Sequence, residues 1–260
     1  AESIYREILS CDPRNLEALR LLALIAMKTE HYGQAESLLK RAIEIAPDFL
    51  AAWIDLSRAQ LERQELQAAL ASIERAVQLS PRSANVHINL ANVQARSGHH
   101  DQAVASYRRA IELGPNQPDG YLGLGNTLKT VGRQAEAIEA YRHATAMRAG
   151  MSEAWWSLSN LKTFRFEGRD IETMQLQLAA PEISDEAQVQ FCFALAKARE
   201  DLGDYARAFE LYDRGNRTRR AQENYDPVET EAINDRIVKV FDAGFLAQHA
   251  GRGHPDPAPI

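Results

Sequence analysis

The sequence predicts an all-α solenoid, a stack of helical hairpins continued by a helical C-terminal extension. Three observations carry this. Pro13, Pro47, Pro81 and Pro115 recur at a constant interval of 34 residues. Small residues return at fixed places between them, and Gly98 and Gly132 fall midway, where a hairpin must reverse. A unit of this size cannot bury its own apolar face, so neighbours stack and share a continuous core.

With Leu16 as position 1, position 7 is leucine in five successive units (Leu22, Leu56, Leu90, Leu124, Leu158) and position 8 is small (Ala23, Ser57, Ala91, Gly125, Ser159). Position 20 is Ala35, Ala69, Ala103 and Ala137, and position 27 is Ala42, Ala76, Ala110 and Ala144. Position 24 is large: Leu39, Ile73, Tyr107 and Tyr141. Small side chains at 8 and 20 let two helix axes approach while positions 4, 7 and 24 fill the seam. Gly98 and Gly132 accept the left-handed turn between the helices, and the proline ends the second helix. Period and pattern together resemble the tetratricopeptide repeat. That resemblance implies a right-handed superhelix whose first helices line a concave face.

The repeat array is expected over residues 1–168, with a partial repeat at 1–15, full repeats at 16–49, 50–83, 84–117 and 118–151, and a half repeat at 152–168. The helix of the half repeat is expected from Ser152 to about Phe164. Ala1 and Tyr5 would be positions 20 and 24, so the chain is expected to be a fragment that starts inside a repeat. After Phe166 the register fails, because Ile171 stands where an alanine is due. Residues 169–250 are expected to be a helical extension. Gly168 or Asp170 opens a helix to about Ala179, Pro181 closes it, and Ser184 or Asp185 caps the next. A degenerate repeat is expected at 189–222, where Leu195, Ala196, Gly203, Tyr205, Ala208, Tyr212 and Gly215 recover repeat positions. Asp226–Pro227 opens a last helix with an apolar stripe of Val228, Ile233, Ile237, Val240 and Phe241. Pro255, Pro257 and Pro259 hold residues 251–260 extended, which predicts a linker to a missing domain.

Composition narrows the function. The net charge is −6 with Lys and Arg dispersed, which argues against nucleic-acid binding. The longest apolar run, Leu21–Met27, is far short of the ~20 residues that span a bilayer. Cys11 and Cys192 have no metal or redox spacing and suit a cytoplasmic setting. His99 and His100 are adjacent on a turn and present no joint face. Gly120, Gly123 and Gly125 lack the preceding strand of a phosphate loop. Glu136 and Glu139 are expected on a solvated face. No catalytic, cofactor or metal site is expected in this chain, and no enzymatic turnover.

What remains is the groove. First-helix positions 2, 5, 6, 9, 12 and 13 point into it, and here they supply Arg58, Asn89, Asn92, Asn126, Lys129, Trp156 and Asn160. An asparagine carries donor and acceptor, so a ladder of them can pair with an extended protein or peptide backbone without reading its side chains. A clamp for a C-terminal carboxylate is not expected. Position 5 of successive units is Arg20, Ile54, Ile88 and Leu122, and position 6 includes Asp55 and Gly123.

The segments VHINLANVQARSGHHDQAVASYRRAIELGPN and GYLGLGNTLKTVGRQAEAIEAYRHA resemble bacterial repeat arrays and the arm of the glycosyltransferase that modifies proteins with N-acetylglucosamine. EAWWSLSNLKTFRF, FALAKAREDLGDYARAFELYDRGNRTRR and PDPAPI are similar to the bacterial tetratricopeptide sulfotransferases, over most of residues 150–260. That likeness implies a C-terminal catalytic domain in cis. 3′-Phosphoadenosine 5′-phosphosulfate would bind only in that missing domain, and no catalytic or donor-binding residue lies in this chain. Three expectations follow: the recruiting or structural arm of a sulfotransferase, a free-standing adaptor for protein assembly, or the arm of a protein glycosyltransferase.

Overall fold

The computed structural model describes residues 2–222 and 227–249, with the backbone alone at residue 246. It divides into two compact units, residues 1–215 and 216–260. The Pro-rich stretch 251–260 and Asp226 lie outside the described residues. All regular structure in the described residues is helical. None of those helices is long and apolar enough to cross a membrane.

The first unit begins with α1 (Glu2–Cys11) and continues as hairpins: α2 (Leu16–Lys28) with α3 (Tyr32–Ile45), α4 (Leu50–Glu62) with α5 (Leu66–Leu79), α6 (Ala84–Arg96) with α7 (His100–Leu113), and α8 (Pro118–Thr130) with α9 (Gln134–Met147). Next come α10 (Ser152–Ser159), α11 (Gly168–Leu178), α12 (Asp185–Asp201) and α13 (Tyr205–Gln222), whose residues from 216 on belong to the second unit. In the second unit lie α14 (Pro227–Val240) and α15 (Ala243–Gln248), the latter capped by Asp242, whose Oδ1 accepts from Phe245 N at 2.7 Å.

The notches are closed by alanine. Ala35, Ala69, Ala103 and Ala137 are fully buried, and Leu39, Ile73, Tyr107 and Tyr141 sit beside them with at most 2% of their surface exposed. Glycine extends this logic where position 24 is a tyrosine. A Cβ added at Gly125 would stand 2.6 Å from the Tyr141 ring, and one at Gly123 would stand 2.4 Å from the Tyr107 ring of the preceding repeat. Both approaches are closer than carbon atoms tolerate.

A second device fastens consecutive repeats. Position 4 donates a ring N–H to the carbonyl six residues earlier: Trp53 Nε1 to Pro47 at 2.9 Å, His87 Nε2 to Pro81 at 2.9 Å, and Trp155 Nε1 to Ala149 at 2.8 Å. The carbonyl can only accept, which places the His87 proton on Nε2. Within hairpins, Ser72 donates to Gln60 and Ser106 to Gln94, each at 2.7 Å, so polar positions 23 and 11, buried in the first pair and half-buried in the second, satisfy each other. Buried Glu36 receives Lys40 at 2.8 Å and also pairs with Arg63 of the next repeat.

Position 15 reverses every hairpin with a positive φ. Gly98, Gly132 and Gly203 adopt +79°, +80° and +76°. Glu30 and Gln64 hold the same place at +61°, which a side chain disfavours. Gln64→Gly should therefore stabilise the chain by about 1 kcal/mol, read as a raised urea midpoint with an unchanged slope. An unchanged or lowered midpoint would show that the Gln64 side chain offsets its backbone strain.

α10 is shorter than the pattern predicts, ending at Ser159 instead of near Phe164. The chain leaves the helix because its next apolar residues turn inward as a cluster. Leu161 is buried, the Phe164 and Phe166 rings meet edge-on at 4.9 Å, and Trp155 lies 6.2 Å from Phe166. Arg142 of α9 stacks over Phe164 at 4.9 Å and pairs with Asp170, which also accepts the Glu167 backbone N–H at 2.9 Å and so starts α11. Further on, Ser184 caps α12, and Gly215 lets α13 approach Cys192, where an added Cβ would lie 3.2 Å from Cys192 Cβ. Tyr212 donates to Glu200 at 3.0 Å, and burial with that carboxylate pushes its phenol up to about 12.

Candidate peptide-binding groove

The first helices α2, α4, α6 and α8, with the start of α10, share one cavity of about 800 Å³. Helix register decides what faces it. Positions 5, 6, 9, 12 and 13 of a first helix lie on the side away from the second-helix seam, so consecutive repeats repeat the same wall. Of the residues expected there, Arg58, Asn89, Asn92 and Asn126 line the cavity. Lys129, Trp156 and Asn160 are not on its lining. Lys129 is half-buried and Trp156 is 39% exposed. Asn160 is the C-cap of the shortened α10, one residue past its end.

The asparagines differ from a free ladder. Asn92 Oδ1 accepts the Tyr107 hydroxyl, and Asn126 Oδ1 accepts the Tyr141 hydroxyl at 2.8 Å, with Ser157 Oγ at 3.5 Å. The acceptor half of each amide is therefore committed to position 24 of its own repeat. The NH2 half is what a ligand can use, though at Asn126 it already reaches Glu153 at 3.4 Å. Asn89 turns along its own helix, donating to the Asn85 carbonyl at 2.8 Å and to Asn85 Oδ1 at 3.2 Å. Burial pushes the Tyr107 and Tyr141 phenols well above their ordinary range, so both remain protonated donors at neutral pH.

The structure also places on the lining residues at the expected positions beyond the seven singled out above, among them Lys28, Leu122, Thr130 and Glu153. Tyr107 also reaches the cavity from a second helix, through the notch at Gly123. A signal for this was present in the sequence. Tyrosine at position 24 occurs in the two repeats that carry asparagine at position 9, whereas Leu39 and Ile73 accompany Leu24 and Arg58. The floor is apolar and fixed by hydrogen bonds, and the rim is charged and polar. Such a surface can hold an extended chain, and the amide oxygens of Asn92 and Asn126 are already engaged in packing.

Residues 20–84 match a tetratricopeptide repeat model, residues 96–132 a TPR repeat model, and residues 118–150 a further tetratricopeptide repeat model. An uncharacterized protein of Aquifex aeolicus (strain VF5) is 30% identical over 100 residues, which are 38% of this chain and 13% of that protein. The chain thus spans a small part of the length of the curated relative it matches. Among solved structures, Pseudomonas aeruginosa PilF superposes with a TM-score of 0.59 at 16% identity, over 75% of this chain and 88% of that one. YrrB, described as a TPR protein with an unusual peptide-binding site, gives 0.50 at 15% identity over 81% and 98%. At these identities the structural likeness shows a shared solenoid fold.

Proposed function

We propose, from the chain's place among the tetratricopeptide-repeat proteins, that it is a scaffold that binds an extended protein segment along the concave wall of α2, α4, α6, α8 and α10. The observation that carries this is the continuity of the cavity, to which each of those five helices contributes at least one side chain. YrrB, which shares the fold, has a peptide-binding site by description, and that supports the class of ligand. The repeat supplies main-chain-directed donors at Asn92 and Asn126 above an apolar floor at Leu122, the pairing that extended peptides use in grooves.

The test is a selection of random twelve-residue peptides on the full chain, compared with Asn89→Trp/Thr130→Trp, which fills the groove from two lining positions. Enrichment on the parent chain that is lost on the filled variant supports the reading. Equal enrichment on both, or none on either, overturns it.

A narrower reading makes this scaffold the recruiting arm of a sulfotransferase, acting in the cytoplasm. It rests on the likeness of EAWWSLSNLKTFRF and FALAKAREDLGDYARAFELYDRGNRTRR to that family. A strand and a phosphosulfate loop encoded directly downstream would support it, and a stop codon there would leave the free-standing adaptor.

A further inference from the structure

The groove's charges are sorted by end. Lys28, exposed on the last turn of α2, has no carboxylate partner among the described residues. Arg58 shares buried Asp55 with Arg20: Arg20 Nε donates at 2.7 Å and Arg58 Nη1 lies at 3.3 Å. Glu17 also lies 3.8 Å from Arg20, so these two guanidiniums are matched by two carboxylates, and the uncompensated positive charge at this end is Lys28. Arg96 and Glu62 neutralise each other at 2.5 Å in the middle of the wall. At the far end the sign changes. Among the described residues Glu153 on α10 is met only by the Asn126 amide at 3.4 Å, and Asp119 shares its charge with Arg148 at 2.6 Å.

We propose that the occupant is a partner segment that is acidic where it passes α2 and α4 and basic where it passes α10. This rests on the groove-binding reading above. Neighbouring helices stand about 8–10 Å apart, so α2 to α10 is roughly 32–40 Å, the span of about ten to twelve extended residues. At that length both ends of the segment reach an uncompensated charge of opposite sign, which fixes its direction. A segment of uniform sign would match one end and be repelled at the other.

The apolar lining beneath the charges fits the same occupant. Ile88 and Val93 of α6 and Leu122 of α8 follow the wall between the two charged ends, and they suit small or aliphatic side chains in the middle of the segment. Contacts to the amide NH2 of Asn92 reach the backbone there and do not select sequence. Charge order at the ends and apolar character between them are what the groove can read.

The experiment is the same twelve-residue selection on the full chain, sequenced for charge order, followed by binding of the enriched peptides to Lys28→Glu/Glu153→Lys. Both positions are exposed, and circular dichroism and the urea midpoint of the variant should match the parent. The expected result is Asp or Glu gathered at one end of the enriched peptides and Lys or Arg at the other. Their affinity for the double variant should fall about tenfold at low salt, with the gap closing as ionic strength rises. A spin label on the acidic end should broaden amides of α2 and α4 and leave α10 sharp. Groove-dependent peptides with no charge order, or with unchanged affinity for the double variant, would overturn the charge rule and leave groove binding standing. No enrichment above the groove-filled variant would overturn both.

Discussion

Tyr141→Ala is expected to lower stability by about 3–5 kcal/mol, because it empties the seam between α8 and α9 and leaves a cavity that packed helices close only in part. Tyr141 is fully buried, and its hydroxyl is held by Asn126. The sharper part of the result concerns Gly125. A glycine in a helix interior ordinarily costs about 1 kcal/mol relative to alanine, so Gly125→Ala would be stabilising in an exposed helix. Here the new methyl would stand 2.6 Å from the Tyr141 ring, and overpacking should instead destabilise by about 1–3 kcal/mol. In the Tyr141→Ala background the ring is gone and Gly125→Ala should become stabilising. Urea unfolding of the four proteins of this cycle measures that change of sign. A Gly125→Ala effect that is the same with and without Tyr141 would show that the glycine serves some purpose other than admitting the ring.

The second large effect is expected at Asp170. Its side chain is 9% exposed, and it joins two tasks: one oxygen pairs with Arg142 of α9, and the other caps α11 at the Glu167 N–H. Asp170→Ala removes the cap and strands the guanidinium, and should cost about 2–3 kcal/mol. Arg142 is 32% exposed, and water screening the pair limits the loss. Asp170→Asn keeps an acceptor for Glu167 and should recover about half of the loss. Thermal or urea unfolding of the two variants checks the order; equal losses for both would mean that the charge, and not the cap, is what α11 depends on.

The hairpin stack was legible because its signals are local and periodic. First helices begin at Leu16, Leu50, Ala84, Pro118 and Ser152, the same interval that the prolines mark. Turns at Gly98 and Gly132 were legible for the same reason, since only glycine advertises a positive φ. Glu30 and Gln64 adopt that conformation without advertising it, because the flanking helices impose the turn and the residue bears the strain. The end of α10 was hidden by a different cause. Trp155, Leu161, Phe164 and Phe166 read as helical apolar spacing, but their rings pack better on one another and under Arg142 than on a continued helix.

The groove was legible in position and less so in chemistry. Counting along a first helix places Arg58, Asn89, Asn92 and Asn126 on the wall, but the same count also names Lys129, Trp156 and Asn160, which are not on its lining. It does not reveal that Asn92 and Asn126 lend their acceptors to tyrosines fifteen residues later, a contact made across the hairpin. Nor does it reveal that the Asn126 amide reaches Glu153 of the next repeat at 3.4 Å.

Hydrogen exchange of the full chain with and without a selected peptide tests the central claim most directly. The account predicts added protection confined to α2, α4, α6, α8 and the start of α10, with the second helices α3, α5, α7 and α9 unchanged. Protection that instead follows the second helices would contradict it, because the partner would then sit on the outer wall and the shared cavity would not be the binding site.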